Sequence, residues 1–291
     1  MEIRVLRYFL AVAREENITK AAERLHITQP TLSRQLMQLE EELGTVLFRR
    51  SRHRITLTDE GLLLKRRAGE LIALADKTAR ELSRQSEEVV GEISIGCGET
   101  RSMDQLSRLL VSFRALHPQV RFEIHSANAD DIKERIENGL LDMGLLVEPV
   151  DIGRYGFLRM SQKELWGVMV AQDSPLATKK EVHPRDLMGM PLLVTNRALV
   201  QNELSAWFGG SFDRQDIASF FNLSYNAAIL VRNGAGIALC LDLECRYEGV
   251  RFIPLSPRLE TGSMLMWKKD QALPRATGAL LEYIRNALQA F

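Results

Sequence analysis

A chain of 291 residues is too long for one small core and predicts two or three domains. Its 38 basic and 38 acidic side chains leave a formal net charge of zero, which excludes wholesale coating of a polyanion and leaves only local patches. No run reaches the ~18 apolar residues of a membrane span. Arg4, Arg7 and Arg14 interrupt the N-terminal apolar stretch, so neither anchor nor secretory leader is expected, and Cys97, Cys240 and Cys245 form no zinc spacing or disulfide framework, which points to the cytoplasm.

Along the chain, Ile3, Leu6, Phe9, Leu10 and Ala13 recur at helical spacing and predict a first amphipathic helix. In "NITKAAERLHI", Thr19 is a plausible N-cap, with Ala21, Ala22 and Leu25 on one face of a second helix. Ile27 closes that core and Thr28 caps a third helix. Gln29 and Pro30 fall in its first turn, where a missing N–H costs nothing. Leu32, Leu36, Leu39 and Leu43 form the buried stripe, and Gly44 ends the helix. Two helices joined by a tight turn read as a helix-turn-helix. The solvent face of the longer helix carries Gln29, Thr31, Ser33, Arg34 and Gln38, types that read base edges and grip phosphates. The acidic Glu40–Glu42 lies at its far end, so the N-terminal half is expected to dock.

Then comes "VLFRRSRHRITLTDEG", in which Arg49, Arg50, Arg52, His53 and Arg54 precede an alternating Ile55–Thr58. This predicts a two-stranded wing with a basic tip, Arg50 and Arg52 facing phosphates or the minor groove. Residues 1–58 hold ten Arg or Lys against seven Glu, a local excess of about +3. Each feature alone suits a protein-interaction module or a solvated surface; their order favours DNA.

Residues 1–60 resemble the winged helix-turn-helix of LysR-type transcriptional regulators. The likeness rests on Ala21–Ala22, Leu25, Gln29–Pro30, Leu32–Ser33, Gln35, Leu39–Glu40, Leu43–Gly44, Leu47–Phe48 and Leu57–Thr58, with Thr28 where serine is commoner.

Thr58, Asp59 and Glu60 suit a helix start. Leu64, Ala68, Leu71, Ala75, Thr78 and Leu82 step by four and three, a heptad seam flanked by charges that predicts pairing with a second copy. A dimer would set two reading helices on a two-fold related operator in double-stranded DNA. The resemblance implies the same dimerising linker and commonly a tetramer.

Beyond it, "GEISIGC", "VRFEIH" and "LDMGLLV" read as strands separated by helices over "GETRSMDQLSRLLVSFRALHP" and "ADDIKERIENG", a parallel sheet with crossovers. A second unit follows with "ELWGVMVA", "PLLVTN", "IALC", "VRFIPL" and "SMLMWKK" as strands, and a last helix, 276–291, is expected to pack back on the first unit. The expected boundaries are 1–58 for the DNA-binding domain, 59–88 for the linker helix, 89–160 with 268–291 for one lobe, and 161–267 for the other. "HPQV", "LDMGLLV", "DSPLA" and "NGAGIAL" resemble the effector domain of the same family, although Cys240, Leu241 and Asp242 stand where that family often has a proline. The resemblance implies an α-helical winged helix-turn-helix joined by a long linker helix to a two-lobed α/β effector domain, periplasmic-binding-protein-like of type 2.

Ligands of open parallel sheets sit beyond the carboxyl ends of the strands. Thr100, Arg101 and Ser102 stand there, at a helix N-terminus suited to an anion. Helix capping explains Thr100 and Ser102 equally well by chemistry; the resemblance favours a ligand. Asn128, Thr195 and Asn196 occupy corresponding loops. Arg197 could face the same cleft, though a surface arginine is usually just solvated, and Ser224 and Tyr225 read as a cap and a packed ring. A small carboxylate-bearing effector is the favoured class. No phosphate loop, nucleophile elbow or metal spacing occurs, so no enzyme, metal or cofactor is expected. Cys240 and Cys245 invite a redox reading, but Cys240 ends an apolar strand, where cysteine behaves as a small hydrophobe. An activator would also contact RNA polymerase.

Overall fold

A computed structural model describes residues 1–50, 55–82, 89–210, 212 and 215–289. The chain divides into two compact units, Met1–Gln85 and Ser86–Phe291.

The first unit contains α1 (Ile3–Glu15), α2 (Ile18–Arg24), α3 (Gln29–Leu43), strands β1 (Phe48–Arg50) and β2 (Ile55–Leu57), and α4 (Asp59–Leu82). Leu6, Phe9, Val12, Ala21, Ala22, Leu32, Leu36 and Leu39 form one core with Leu47, Phe48 and Ala68. Ile3 and Leu43, expected in that core, are exposed because they sit in end turns that overrun it. The cap of α2 is Asn17, whose side chain accepts from Lys20 N–H at 3.0 Å, not Thr19, which is exposed inside the helix. His26 takes a left-handed conformation, φ 54°, at the end of α2. His26 N–H donates to Glu23 O and Ile27 N–H to Ala22 O, a paired closure that makes the turn to α3 tight.

The wing's strands pair antiparallel, Phe48 with Leu57 and Arg50 with Ile55. Its expected tip, Arg52 to Arg54, lies outside the described residues. Glu40 holds the wing's base: its Oε1 accepts from Leu47 N–H at 2.8 Å and Phe48 N–H at 3.2 Å. At the start of α4, the Thr58 hydroxyl donates to Val46 O at 2.7 Å and accepts from Gly61 N–H at 3.0 Å.

The expected seam of α4 divides. Leu64 and Ala68 pack into the unit's own core with Ile72, while Arg7 pairs with Asp76. Leu71 of the seam faces outward instead, with Leu74 and with Leu62 and Leu63, both 55 % exposed. A helix lying on its own domain spends one apolar face there, which the heptad count could not distinguish from an intermolecular one.

In the second unit, one sheet runs β4-β3-β5-β13-β6, built from β3 (Gly91–Cys97), β4 (Val120–Ser126), β5 (Met143–Val147), β6 (Tyr155–Arg159) and β13 (Ser263–Lys268). Its first three strands are parallel, crossing over through α5 (Ser102–Leu116) and α6 (Ala129–Glu137). Gly96 and Gly144 are cross-strand neighbours beneath Ile132 of α6. A Cβ on either would lie within 2.6 Å of that side chain, so the two glycines let the helix seat. The final helix α9 (Arg275–Gln289) contributes Leu280, Leu281 and Ile284 to the same core as Ile93, Ile95 and Phe113.

The other sheet runs β11-β7-β10-β8-β9, from β7 (Glu164–Ala171), β8 (Pro191–Thr195), β9 (Asp216–Phe221), β10 (Ile237–Leu241) and β11 (Val250–Pro254), with β12 (Glu260–Thr261) also on β7. Helices α7 (Ala198–Trp207) and α8 (Ser224–Arg232) connect its parallel strands. "SMLMWKK", expected in this second lobe, belongs to the first: β13 pairs antiparallel with β5 and β6. The chain therefore returns just before Ser263 rather than at 268.

Candidate functional site

On α3, Thr28 caps the helix through Thr31 N–H at 3.4 Å, and its hydroxyl lies 2.8 Å from that of Thr31. Pro30 occupies the first turn. Leu32, Leu36 and Leu39 face inward, so a helical repeat of 100° per residue places Pro30, Arg34 and Gln38 along the opposite ridge. Gln29, Thr31 and Met37 are also exposed, whereas Ser33 is half-buried at the margin. Arg34 has no ion pair among the described residues, so its guanidinium is free for an outside partner. Arg50 closes β1, whereas Arg52 lies outside the described residues.

The second candidate lies between the two lobes. At the N-terminus of α5, the anion position expected for a ligand is filled by the chain's own Glu164, the first residue of β7 and 0 % exposed. Its Oε1 accepts from the Ser102 hydroxyl at 2.7 Å and Ser102 N–H at 3.2 Å, and from the Thr100 hydroxyl. Its Oε2 accepts from Arg101 N–H at 3.0 Å. Thr100 and Ser102 are therefore committed to an internal carboxylate, and the Arg101 side chain pairs with Glu244 across the cleft. Glu99 makes the reciprocal contact, accepting from Ser224 N–H at the start of α8. A buried carboxylate must find such donors, and a glutamate opening an apolar strand is the signal for it in "ELWGVMVA". The donors themselves lie more than sixty residues away in sequence.

A cavity of about 110 Å³ lies between the lobes. Asn128 and Thr195 line it; Thr100, Arg101, Ser102 and Asn196 do not. Asn128 accepts from Asp130 N–H at 3.0 Å and Asp131 N–H at 2.9 Å, capping α6. Arg197, for which the sequence offered the cleft or solvent, is 8 % exposed and lines the cavity. Its terminal nitrogens donate to Val147 O at 3.4 Å and Pro149 O at 2.9 Å. Burial lowers the Arg197 pKa, opposed by Asp130 and Glu203. Trp166 and Leu146 are among the apolar walls.

All three cysteines are free. Burial pushes the thiols of Cys97 and Cys240 up to about 12, which keeps both protonated at neutral pH and poor nucleophiles. Among the described residues, no cluster of His, Cys, Asp or Glu could hold a metal ion, and no helix is long and apolar enough to cross a membrane.

Residues 3–62 match the bacterial regulatory helix-turn-helix protein, lysR family, and residues 86–289 match the LysR substrate binding domain. The chain is 29 % identical over 280 residues to the Hca operon transcriptional activator HcaR of Escherichia coli (strain K12), covering 94 % of each. It is 30 % identical over 294 residues to the HTH-type transcriptional regulator YwbI of Bacillus subtilis (strain 168), covering 99 % of this chain and 97 % of that one. Full-length CbnR in its complex with target DNA shares the fold, at TM-score 0.75 and 23 % identity over 99 % of this chain and 100 % of that one. The chain belongs to the LysR family: it is a DNA-binding transcriptional regulator with a substrate-binding domain, and not an enzyme.

Proposed function

We propose that this regulator seats α3 in the major groove of a two-fold related operator and changes its grip when a small molecule binds between the lobes of its effector domain. The observation that carries the first half is the exposed Arg34, without an ion pair among the described residues, on the ridge opposite Leu32, Leu36 and Leu39. Gln29, Thr31 and Arg34 would meet base edges, Thr19, Ser33 and Gln38 adjacent phosphates, and Pro30 the groove wall. Arg50 and Arg52 of the wing would neutralise phosphates. Two copies are needed, and the outward leucines of α4 supply an apolar surface for pairing, as a dimer or as a tetramer of two dimers. Such a protein works in the cytoplasm, and if it activates it also touches RNA polymerase.

The test is genome-wide mapping of bound sites followed by footprinting of the strongest one. Two protected half-sites, spaced by about 10.5 base pairs or a multiple, are expected. A single isolated half-site would contradict the paired docking.

A further inference from the structure

The chain passes from the first lobe to the second between β6 and β7 and returns between β12 and β13. Glu164 is the first residue of β7 and Ser263 the first of β13, so each stands at the end of one crossing. Glu164 is 0 % exposed and Ser263 1 %, and both are held by the start of α5 in the first lobe. Ser102 links them: its hydroxyl donates to Glu164 Oε1 at 2.7 Å and accepts from the Ser263 hydroxyl at 2.5 Å. The Thr100 hydroxyl and the backbone N–H groups of Arg101 and Ser102 complete the cradle of Glu164. Such donors, with the helix dipole behind them, are what a bound anion would use. The same segment reaches the second lobe at two more places. Glu99 accepts from Ser224 N–H at the N-terminus of α8, and the Arg101 side chain pairs with Glu244 beyond β10. Each of Glu99, Thr100, Arg101 and Ser102 therefore holds a group of the second lobe. A rotation that carries Glu164 away with that lobe strips donors from a fully buried carboxylate, and a buried charge left short of partners is costly.

We propose that segment 99–102 is a clasp with Glu164 as its built-in anion, and that it holds the second lobe on the first in the empty protein. The carboxylate takes the place of a bound ligand and comes from the chain's own crossing between the lobes. The clasp itself does not depend on what binds in the cleft. Its consequence for regulation rests on the effector reading: a small molecule then acts on a pair of lobes already fixed in orientation and not on two loose halves.

The test uses the full chain with no effector added. A spin label is placed on each lobe, through Ser112→Cys and Lys180→Cys in a Cys245→Ser background, since the other two cysteines are buried. Dilution into unlabelled chain confines the measured distances to one molecule. Glu164→Ala removes the carboxylate and leaves its cradle open to formate or acetate; Glu164→Gln keeps the shape and loses the charge. The unsubstituted lobes are expected to give one narrow distance distribution, indifferent to acetate. Glu164→Ala is expected to lose it, and formate or acetate, but not acetamide, to restore it and to raise the melting temperature of this variant alone. If Glu164→Ala does not fold, Glu164→Gln and Glu244→Ala decide, each expected to broaden the distribution. A broad distribution before any substitution overturns the clasp. So does a distribution that stays narrow in the folded variants, or one broadened in Glu164→Ala that the carboxylates do not narrow. None of these outcomes touches the effector reading, which fails separately if no small molecule alters operator binding.

Discussion

Arg34 and Arg50 carry the same charge and should fail differently. Arg34 lies on the ridge of α3 opposite the buried leucines, with no ion pair among the described residues. Replacing Arg34 by Ala should weaken binding to the mapped operator by about 1–3 kcal/mol and leave nonspecific binding almost unchanged, since a base contact discriminates. Replacing Arg50 by Ala should weaken all sequences alike and lower the steepness of the salt dependence, as loss of one phosphate contact does. Binding isotherms on operator and random duplex at several salt concentrations separate the two; identical profiles would refute the assignment. Glu203 gives a residue-scale test of a different kind. Burial, then the nearby Glu148, raises its pKa, and its Oε2 has no hydrogen-bond partner among the described residues. The native state therefore holds this proton more tightly than the unfolded chain, so Glu203 lowers stability progressively as pH rises above the ordinary carboxylate range. Glu203→Gln should raise the melting temperature at about pH 7 and match the wild type near pH 4, where the unfolded carboxyl also becomes protonated. Melting curves across that range check it, and a variant less stable at neutral pH would count against the argument.

Elements whose signals are local were legible in the sequence, and those fixed by distant partners were not. For α3, the Thr28 cap, Pro30 in the first turn, the leucine stripe and Gly44 at the end all lie within seventeen consecutive residues, and the helix forms as they dictate. The strand β13 is as apolar as its neighbours, and nothing in "SMLMWKK" says which lobe it joins; that is decided by pairing with β5, more than a hundred residues earlier. The same limit applied to the ligand cleft. A helix N-terminus with hydroxyls reads as an anion site, and α5 does bind a carboxylate, but the carboxylate is Glu164. Of the expected effector residues, Asn128 and Thr195 line the cavity, and the sequence leaves Arg197 open between cleft and solvent because burial is a tertiary property. The junction between wing and linker helix shows what a short local signal can enforce. A Cβ at Gly61 would lie 2.2 Å from the Leu47 carbonyl oxygen, a backbone atom that cannot swing aside. Gly61→Ala should therefore destabilise the N-terminal unit by about 1–3 kcal/mol, the usual cost of overpacking. Denaturant melts of the full chain, with operator affinity as a second readout, would expose a neutral result that denies this close approach.

At the scale of the whole molecule, the proposed docking on a two-fold related operator needs two recognition helices on one duplex, and α4 would supply an apolar surface for that pairing. One face of α4 is committed inward, through Leu64, Ala68 and Ile72. Leu63, Leu71 and Leu74, spaced by eight and three, fall within a sector of ~80° on a different face, and all are exposed. Exposed leucines scattered singly need no explanation, but three within one sector of a helix whose solvent-facing positions are otherwise mostly charged would suit a contact between copies. Covering a leucine contributes about 1.5–3 kcal/mol, and a two-fold pairing counts each change twice. Leu63→Glu combined with Leu74→Glu should therefore raise the dissociation constant for self-association by at least on the order of a hundredfold. Neither residue belongs to the core of its own unit, so the isolated fold should survive, as circular dichroism can verify. Sedimentation equilibrium gives the assembly state directly. Operator binding should then lose its two-half-site footprint while affinity for a single half-site persists. A double variant that still sediments as the wild type would move the pairing surface away from this line of leucines, and one that loses its helical signal would show that they serve the fold instead.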